Sequence, residues 1–258
     1  MAAIQNCFQR YEKKYLLTKE QYEAVKRGME GHMTPDVHSR YTICNLYYDT
    51  EDWRLIRESI EKPAYKEKLR ARSYGCAKDA DNVFVEIKKK YEDVVYKRRI
   101  VLPAAEAAAY LRGSALQNPS QISREIDWLR TRLDLQAKVF IGYDREAFAG
   151  TEGVEDPELR ITFDTALRYR EDRLDLREGD DGLPLLPEGQ VLMEIKIPGT
   201  APLWLAHLLS ENGIVSSSFS KYGTYYKNIV LKKSAEDKKG ETKPCSTPSW
   251  TRSLPAAR

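Results

Sequence analysis

Basic side chains alternate along residues 65–74, which read YKEKLRARSY. Lys66, Lys68, Arg70 and Arg72 occupy every second position of this stretch. Because successive side chains of a β-strand point to opposite faces, a strand here would carry cations along one whole face. An exposed edge strand that its charges protect from aggregation shows the same pattern. This stretch alone therefore leaves two interpretations open, a solvated edge and a binding surface.

The alternation recurs in other segments, and the apolar residues there have the opposite parity. It is present in RYEKKYLL, VFVEIKKKY, VYKRRIVL, GYDREAF, LRITFDT and VLMEIKI. Twelve cations and four acids lie on these polar faces or, for one lysine, on a short segment near the end: Arg10, Lys14, Lys68, Arg70, Arg72, Lys88, Lys97, Arg99, Arg145, Arg160, Lys196 and Lys221, with Glu12, Glu86, Asp164 and Glu194. This set has a net charge of +8, whereas the whole chain has +3. Positive charge is therefore concentrated where strands are predicted.

Helices are predicted between the strands. Thr18 and Gln21 form a capping box at the start of TKEQYEAVKRGM, and PAAEAAAYLR begins with Pro103, which a first helical turn tolerates. QISREIDWLRTRLDL repeats apolar residues on one face, and APLWLAHLLSENG ends at Gly213, a typical C-terminal cap. DTEDWRLIRESI is predicted as a further short helix. Strands and helices together predict an α+β fold.

Periodicity leaves two architectures open, an open sheet packed on one side and a closed barrel. Barrel closure would make the charged faces a polar lumen, and the helices would cover the apolar outside. Because every strand repeats the same charged face opposite an apolar one, the alternation favours a lumen.

Length and composition indicate one domain with a tail. With 258 residues, 41% of them hydrophobic, the chain can bury one substantial core. Residues 1–232 are predicted to form this domain, and residues 233–258, which lack apolar periodicity, a disordered tail. Four cysteines without paired spacing, and no signal peptide, predict reduced thiols in a cytoplasmic protein. No apolar run approaches the roughly 20 residues of a membrane span.

The motifs of loop-based phosphate binding and of common metal sites are absent. The sequence has no GxxxxGK(S/T), GxGxxG, HExxH or CxxC, and its three histidines are scattered. Cations that project into a restricted volume repel one another and are costly to desolvate unless an anion compensates them. A triphosphate or a polyphosphate chain supplies that charge and suits bidentate arginine contacts. Nucleic acid is disfavoured, because it usually meets exposed basic surfaces interleaved with aromatic side chains.

An ordered set of segments resembles a known family. RYEKKY, NLYYDT, KLRAR, VFVEIKKK, YKRR, GYDREAF, LRITFDT, VLMEIKI and SFSKYGTYY follow one another between about Gln9 and Val230. Together they resemble the polyphosphate polymerase domain of the vacuolar transporter chaperone (VTC) proteins and its bacterial relatives, within the CYTH-like triphosphate tunnel superfamily. The resemblance implies an antiparallel β-barrel tunnel with a basic lumen and helices packed outside. In it, ATP donates phosphoryl groups to a growing polyphosphate chain.

The resemblance also implies roles for particular residues. The residues expected to act on the phosphates are Lys14, Arg70, Arg72, Lys88, Lys97, Arg145, Arg160, Lys196 and Lys221. Arg10, Arg99 and Ser220 are expected to bind substrate. Glu194, with Glu12 as a second candidate ligand, is expected to hold a divalent metal ion, Mn²⁺ or Mg²⁺. Glu86 is interpreted as an ion-pair partner of neighbouring cations. For Lys66, Lys89 and Lys90, the alternative interpretation is that their side chains face solvent.

One departure from the superfamily affects the predicted reaction. Its hydrolases typically begin with ExExK, whereas RYEKK has Arg10 in place of the first glutamate and keeps Glu12 and Lys14. A cation there favours holding a long phosphate chain over hydrolysing a short one. Two alternatives stay open: a tripolyphosphatase or nucleoside triphosphatase, and a non-catalytic module that binds polyphosphate or inositol phosphates. The expected partners are ATP and polyphosphate, and the resemblance leaves room for a membrane-protein partner.

Overall fold

The computed structural model describes residues 11–61, 63–92, 94–156, 158–197 and 199–234. In this part of the chain nine strands form: β1 (Tyr11–Leu17), β2 (Met33–Asp49), β3 (Tyr65–Tyr74), β4 (Asn82–Tyr91), β5 (Val94–Pro103), β6 (Gln136–Gly150), β7 (Arg160–Arg170), β8 (Leu183–Pro184) and β9 (Val191–Ile197). The α-helices are α1 (Lys19–Gly28), α2 (Arg54–Glu61), α3 (Ala104–Leu111), α4 (Gln121–Leu133), α5 (Leu203–Glu211) and α6 (Lys221–Tyr225). A π-helical turn, Tyr226–Val230, continues α6.

The strands form one antiparallel sheet in the order β1, β9, β7, β6, β2, β3, β4, β5, with β8 paired to β7. The predicted α+β fold with an antiparallel sheet is confirmed. Among the described residues β1 and β5 end the ladder and are not paired with each other, so hydrogen bonds do not close the barrel. The sheet is nevertheless curled, because Lys14 of β1 and Lys97 of β5 line the same cavity.

Backbone register places the charged side chains on the concave face of the sheet. Arg70 stands opposite Glu86, and Lys68 opposite Lys88, in the β3–β4 ladder. The residues between them in sequence are buried and mostly apolar, and they face the convex side: Glu67, Leu69, Ala71, Val85 and Ile87. The alternation therefore separates a polar lumen from an apolar outside, as predicted.

Four helices cover the convex face. α1 and α5 pack on the apolar side of β1, β7 and β9, where Val25 and Leu205 are fully buried. α3 and α4 cover β3 and β4, where Ile126 and Leu129 are fully buried. The predicted capping box of Thr18 is present at the start of α1. These helices supply the outer layer that the apolar strand faces require.

α2 and α6 differ from the other helices because they reach the lumen side. Ile56 of α2 and Tyr222 of α6 share a buried cluster with Tyr47, a concave-face residue of β2. The buried Asp49 carboxylate joins the two helices. It accepts hydrogen bonds from the backbone N–H groups of Leu55 (2.8 Å) and Ile56 (3.0 Å) and from the Tyr222 hydroxyl (2.8 Å). The expectation that helices pack outside holds for α1, α3, α4 and α5, whereas Asp49 and its aromatic neighbours fix α2 and α6 within.

The packed structure continues to the end of the described chain. Residues 231–234 are helical, and Lys233 Nζ lies 2.7 Å from Glu171 Oε2. Residues 233 and 234, which the sequence analysis assigned to the tail, are thus helical, and the domain boundary itself stays a prediction. Residues 235–258, which carry most of the predicted tail, lie outside the described residues.

The described helices include none that is long and apolar enough to cross a membrane. Cys44 is buried and Cys76 is exposed, and both are free thiols. Cys7 and Cys245 lie outside the described residues.

Candidate functional site

One large cavity lies within the curled sheet. Its volume is about 1050 Å³, and β1, β2, β3, β4, β5 and β9 form its walls, with α2 and α6 at one side. Ten cations line it: Lys14, Lys66, Lys68, Arg70, Lys88, Lys90, Lys97, Lys196, Lys221 and Lys227. Four carboxylates line it: Glu12, Glu86, Glu92 and Glu194. With every group ionised, the wall has six more positive than negative charges, which favours a polyanionic ligand.

The cavity brings together nine of the residues to which the sequence resemblance assigns a role. They are Glu12, Lys14, Arg70, Lys88, Lys97, Glu194, Lys196, Ser220 and Lys221. Four others, Arg72, Arg99, Arg145 and Arg160, lie outside the lining of this cavity. Arg10 is not among the described residues.

All four arginines outside the lining have partners of their own, and those of Arg145 are described below with Asp164. For the other three the contacts are Arg72 Nε to Asn45 Oδ1 (3.1 Å), the Arg99 guanidinium over the Phe84 ring (5.0 Å) and Arg160 Nη1 to Asp36 Oδ2 (2.7 Å). Arg160 has 40% of its side chain accessible. Strand parity gave these side chains the correct face. Arg160 and Arg99 contact partners that do not line the cavity, whereas Arg72 lies 3.9 Å from Glu86 of the wall.

Asp164 is the centre of a buried chain of ion pairs. Arg145 donates two hydrogen bonds to its carboxylate, at 2.6 and 2.7 Å, and Lys221 Nζ donates one at 2.6 Å. The same two cations each lie 3.4 Å from Glu194, and Lys14 Nζ lies 3.9 Å from it. Burial alone would raise the pKa of Glu194, but Lys221, Arg145 and Lys14 hold it well below its ordinary value. This chain fixes Lys221 and Glu194 on the cavity wall.

Glu86 joins a second group of cations. Its carboxylate lies 2.7 Å from Arg70 Nε, 2.6 Å from Lys97 Nζ and 3.9 Å from Arg72 Nε. Burial opposes ionisation, yet Arg70, Arg72 and Lys97 lower the pKa of Glu86 to about 2. The structure agrees with the interpretation of Glu86 as an ion-pair partner, and one carboxylate here offsets only part of the surrounding charge.

Lys68 is a lumen residue to which the sequence analysis assigned no role. Its Nζ donates a hydrogen bond to Ser220 Oγ at 3.2 Å. Burial, followed by the charges of Lys88, Lys66, Lys14 and Arg70, lowers the pKa of Lys68 to about 7. The alternation of residues 65–74 contained the signal, because Lys68 shares its face with Arg70.

Lys66, Lys90 and Lys227 also line the cavity. The first two therefore face the lumen rather than the surrounding solvent, whereas Lys89 pairs with Glu125 and Glu67 away from it. Lys227 follows α6 and belongs to no strand, so strand parity could not have indicated it.

The carboxylates fit a divalent metal only in combination with a phosphate ligand. The described residues contain no cluster of three or more potential protein ligands. Lys14 Nζ lies 3.2 Å from Glu12 and 3.9 Å from Glu194, so these two carboxylates flank one cation on the wall. Mg²⁺ is commonly bound by one or two carboxylates, with phosphate oxygens and waters completing its coordination. Glu12 and Glu194 provide a donor set of that kind.

A curled antiparallel sheet around a basic cavity defines the triphosphate tunnel class, and solved structures agree. A candidate adenylate cyclase from Bacillus halodurans has a TM-score of 0.50 at 14% identity, covering 81% of this chain and 92% of that one. A candidate adenylyl cyclase from Hippeastrum, described as having a dominant triphosphatase activity, has a TM-score of 0.50 at 14% identity, covering 85% and 96%. At this identity the likeness shows the fold alone. No curated protein matches the chain.

The family itself follows from the sequence match. The VTC domain matches residues 9–230, and the chain belongs to this family. The resemblance that the ordered strand segments indicate is thereby confirmed, over the same range.

Proposed function

We propose that this protein is a metal-dependent polyphosphate polymerase, which transfers the terminal phosphoryl group of ATP to a growing polyphosphate chain in the lumen. The observation that carries the proposal is the cavity wall, which ten cations and four carboxylates line. Membership of the VTC domain family supports the same substrate class. A chain of phosphates is the ligand that matches this density of charge.

The reaction places few chemical demands on the protein. The acceptor's terminal phosphate is already anionic near neutral pH, so it needs alignment with the donor more than it needs a base. Phosphoryl transfer is accelerated mainly by positioning and by neutralisation of charge on the transferred group. Lys14, Lys88, Lys196 and Lys221 line the wall, and we assign both tasks to them.

Arg70 is held by Glu86 and Lys221 by Asp164, so each presents its charge from a fixed position. Such preorganised cations stabilise developing charge without having to reorient during the reaction. Arg145 is assigned a positioning role, since it reaches the wall through Asp164 and Glu194. We assign Arg72 the same kind of role beside Glu86.

Glu194 and Glu12 would hold the divalent metal ion. When bound, the metal would neutralise charge on phosphate oxygens and help to orient the donor. Lys14, next to both carboxylates, would then contact the same phosphates from the protein side.

The test is to incubate the protein with ATP and Mn²⁺ and to separate the products by size. Long polyphosphate is the expected product, whereas free phosphate would identify a hydrolase and no product a binding module. Lys14→Ala is expected to abolish chain synthesis. Lys13→Ala is the matched control, because Lys13 is exposed and adjoins Lys14 on the opposite face of β1.

A further inference from the structure

Lys68 is a lumen cation whose partner is a hydroxyl and not a carboxylate. Its Nζ donates a hydrogen bond to Ser220 Oγ at 3.2 Å, and no carboxylate of the described chain forms an ion pair with it. By contrast, Arg70 and Lys97 both pair with Glu86. The Lys68 amine is therefore held in position without the countercharge that these neighbours have.

The strongest charge effects on Lys68 come from cations on three strands. Lys88 stands directly opposite it in the β3–β4 ladder, Lys66 and Arg70 flank it on the same face of β3, and Lys14 acts on it from β1. Burial and these charges disfavour the ammonium form and lower the pKa of Lys68 to about 7. At pH 8 most of this amine is neutral, whereas a lysine with an ordinary pKa of about 10.4 is almost entirely charged. A lysine that is desolvated beside other cations is an activated nucleophile.

A small ligand can reach the Lys68 amine. The side chain is only partly buried, and it lines the cavity of about 1050 Å³. Residues that face each other in an antiparallel ladder have Cβ atoms about 4.5–5.5 Å apart, so a phosphate held by Lys88 lies within reach of Lys68. Arg70, two residues along the same face, can donate further hydrogen bonds to that phosphate. The cavity therefore brings a phosphorylated ligand to a reactive amine.

We propose that Lys68 is a modification site, at which acyl phosphates acylate the amine inside the cavity. The phosphate group of the reagent binds to Lys88 and Arg70, and this places the acyl carbonyl beside Lys68 Nζ. The lone pair of the neutral amine attacks the carbonyl carbon, and a C–N bond forms. The C–O bond to the phosphate then breaks, inorganic phosphate leaves with the electron pair, and the amine gives up one proton to water.

The modification removes one potential charge from the cavity wall. An amide cannot be protonated, so acylated Lys68 no longer becomes charged when a polyanion binds. The wall then attracts a chain of phosphates less strongly, and the added acyl group also occupies part of the cavity. The inference concerns phosphate binding in the cavity and does not depend on the polymerase reaction. Acylation of Lys68 would couple occupancy of the lumen to the supply of acyl phosphates.

The test is to incubate the protein with acetyl phosphate at pH 8 and to follow the acetylation of individual lysines by mass spectrometry. Lys68 should react at least about ten-fold faster than Lys13. Lys13 is the matched control, because it is exposed and adjoins Lys14 on the opposite face of β1. The difference should shrink towards about pH 10, where an ordinary lysine also becomes neutral. Tripolyphosphate should protect Lys68 and not Lys13, and acetic anhydride, which has no phosphate group, should prefer Lys68 less.

Equal rates at Lys68 and Lys13, absence of protection by tripolyphosphate, or the same preference with acetic anhydride would overturn the proposal. Lys68→Arg keeps a cation that acetyl phosphate does not acylate. Treatment should weaken tripolyphosphate binding about ten-fold in the wild type, as loss of a hydrogen bond from a charged group predicts, and should leave the affinity of Lys68→Arg unchanged. An equal loss in both proteins would assign the effect to other lysines and refute the role of Lys68.

The outcome is independent of the test of the proposed function. Polyphosphate synthesis from ATP without selective acylation of Lys68 would refute this inference alone. Selective acylation without polyphosphate synthesis would support the inference and refute only the proposed function.

Discussion

Lys68 Nζ lies 3.2 Å from Ser220 Oγ, and none of the carboxylates in the described chain forms an ion pair with it. Its pKa of about 7 reflects burial first and then the cations around it. An anion in the cavity would reverse that effect and raise the pKa. Lys68 is therefore a group whose charge depends on occupancy of the lumen.

The first prediction is that tripolyphosphate binding at pH 8 takes up protons. Lys68 is mostly neutral there in the empty cavity and becomes charged when the anion binds, so affinity should fall as the pH rises above about 7. Calorimetry in two buffers of different ionisation enthalpy measures the uptake. Lys68→Met should take up fewer protons, and equal uptake in both proteins would contradict the assignment. Because folding lowers the pKa of Lys68, Lys68→Met should also melt at a higher temperature at pH 7.

The second prediction separates Glu194 from Lys196, which are two residues apart on one face of β9. Glu194→Gln keeps the size of the side chain and makes the wall more positive, so tripolyphosphate should bind at least as tightly. Turnover should fall by orders of magnitude at saturating ATP, because a metal ligand is lost. Lys196→Ala should weaken binding and turnover together. Near wild-type turnover with unchanged metal dependence in Glu194→Gln would leave Glu194 as an ion-pair partner only.

The third prediction concerns Asp164. Asp164→Asn removes the carboxylate nearest to the buried Arg145 and Lys221, which keep Glu194 at 3.4 Å. Removing one partner of a buried pair typically costs about 3–5 kcal/mol. Urea unfolding measures the loss. Asp36→Asn is the control, because the Arg160–Asp36 pair is partly exposed and such pairs contribute about 1 kcal/mol or less. Similar losses in the two variants would show that Asp164 is not the centre of the buried chain.

The fourth prediction is a pH dependence of stability that arises from Glu86. Its pKa in the folded state, about 2, is below the ordinary value of 4.5, so its contribution is complete above about pH 5 and is lost as the pH falls towards 2. The difference in unfolding free energy between wild type and Glu86→Gln should be largest near neutral pH and should shrink in that acidic window. If the difference in unfolding free energy were constant from pH 7 to pH 2, Glu86 would not be ionised in the folded protein.

The fifth prediction concerns the C-terminal segment. Deletion of residues 235–258 should leave the thermal transition and the activity nearly unchanged, because this segment lacks apolar periodicity. The deletion keeps Lys233 and its contact with Glu171. A second deletion that begins at residue 231 serves as the comparison, and it should lower the melting temperature. Loss of the transition in the shorter deletion would show that the segment is part of the fold.

Strand alternation predicted the face of each lumen residue, because a period of two is a local property of the backbone. The alternation did not predict which residues of that face line the cavity. Arg160 and Lys196 stand opposite each other in the β7–β9 ladder and both were assigned to the phosphate site, but only Lys196 lines the cavity. Arg160 pairs instead with Asp36 of β2, which is 124 residues away in sequence and does not line the cavity.

Partners from distant elements account for the other differences. The importance of Asp164 depends on Arg145 and on Lys221, which are 19 and 57 residues away in sequence. The inward position of α2 likewise depends on Asp49 meeting Tyr222, 173 residues apart. No local pattern reports such contacts. The family match, in contrast, could be predicted in full, because it depends on the order of the strand segments and not on their contacts.

The unpaired ends of the sheet have a consequence for how the lumen is held together. In a closed barrel, strand number and shear set the diameter. In the described strands one junction, between β1 and β5, has no backbone ladder. Beyond the effect of burial, Glu12 of β1 raises and Lys14 of β1 lowers the pKa of Lys88, which lies on β4 next to β5, so charge links the two sides of the open junction. Because no hydrogen-bonded ladder fixes the separation of β1 and β5, we expect the width of the lumen to depend on ionic strength and on the anion bound inside it.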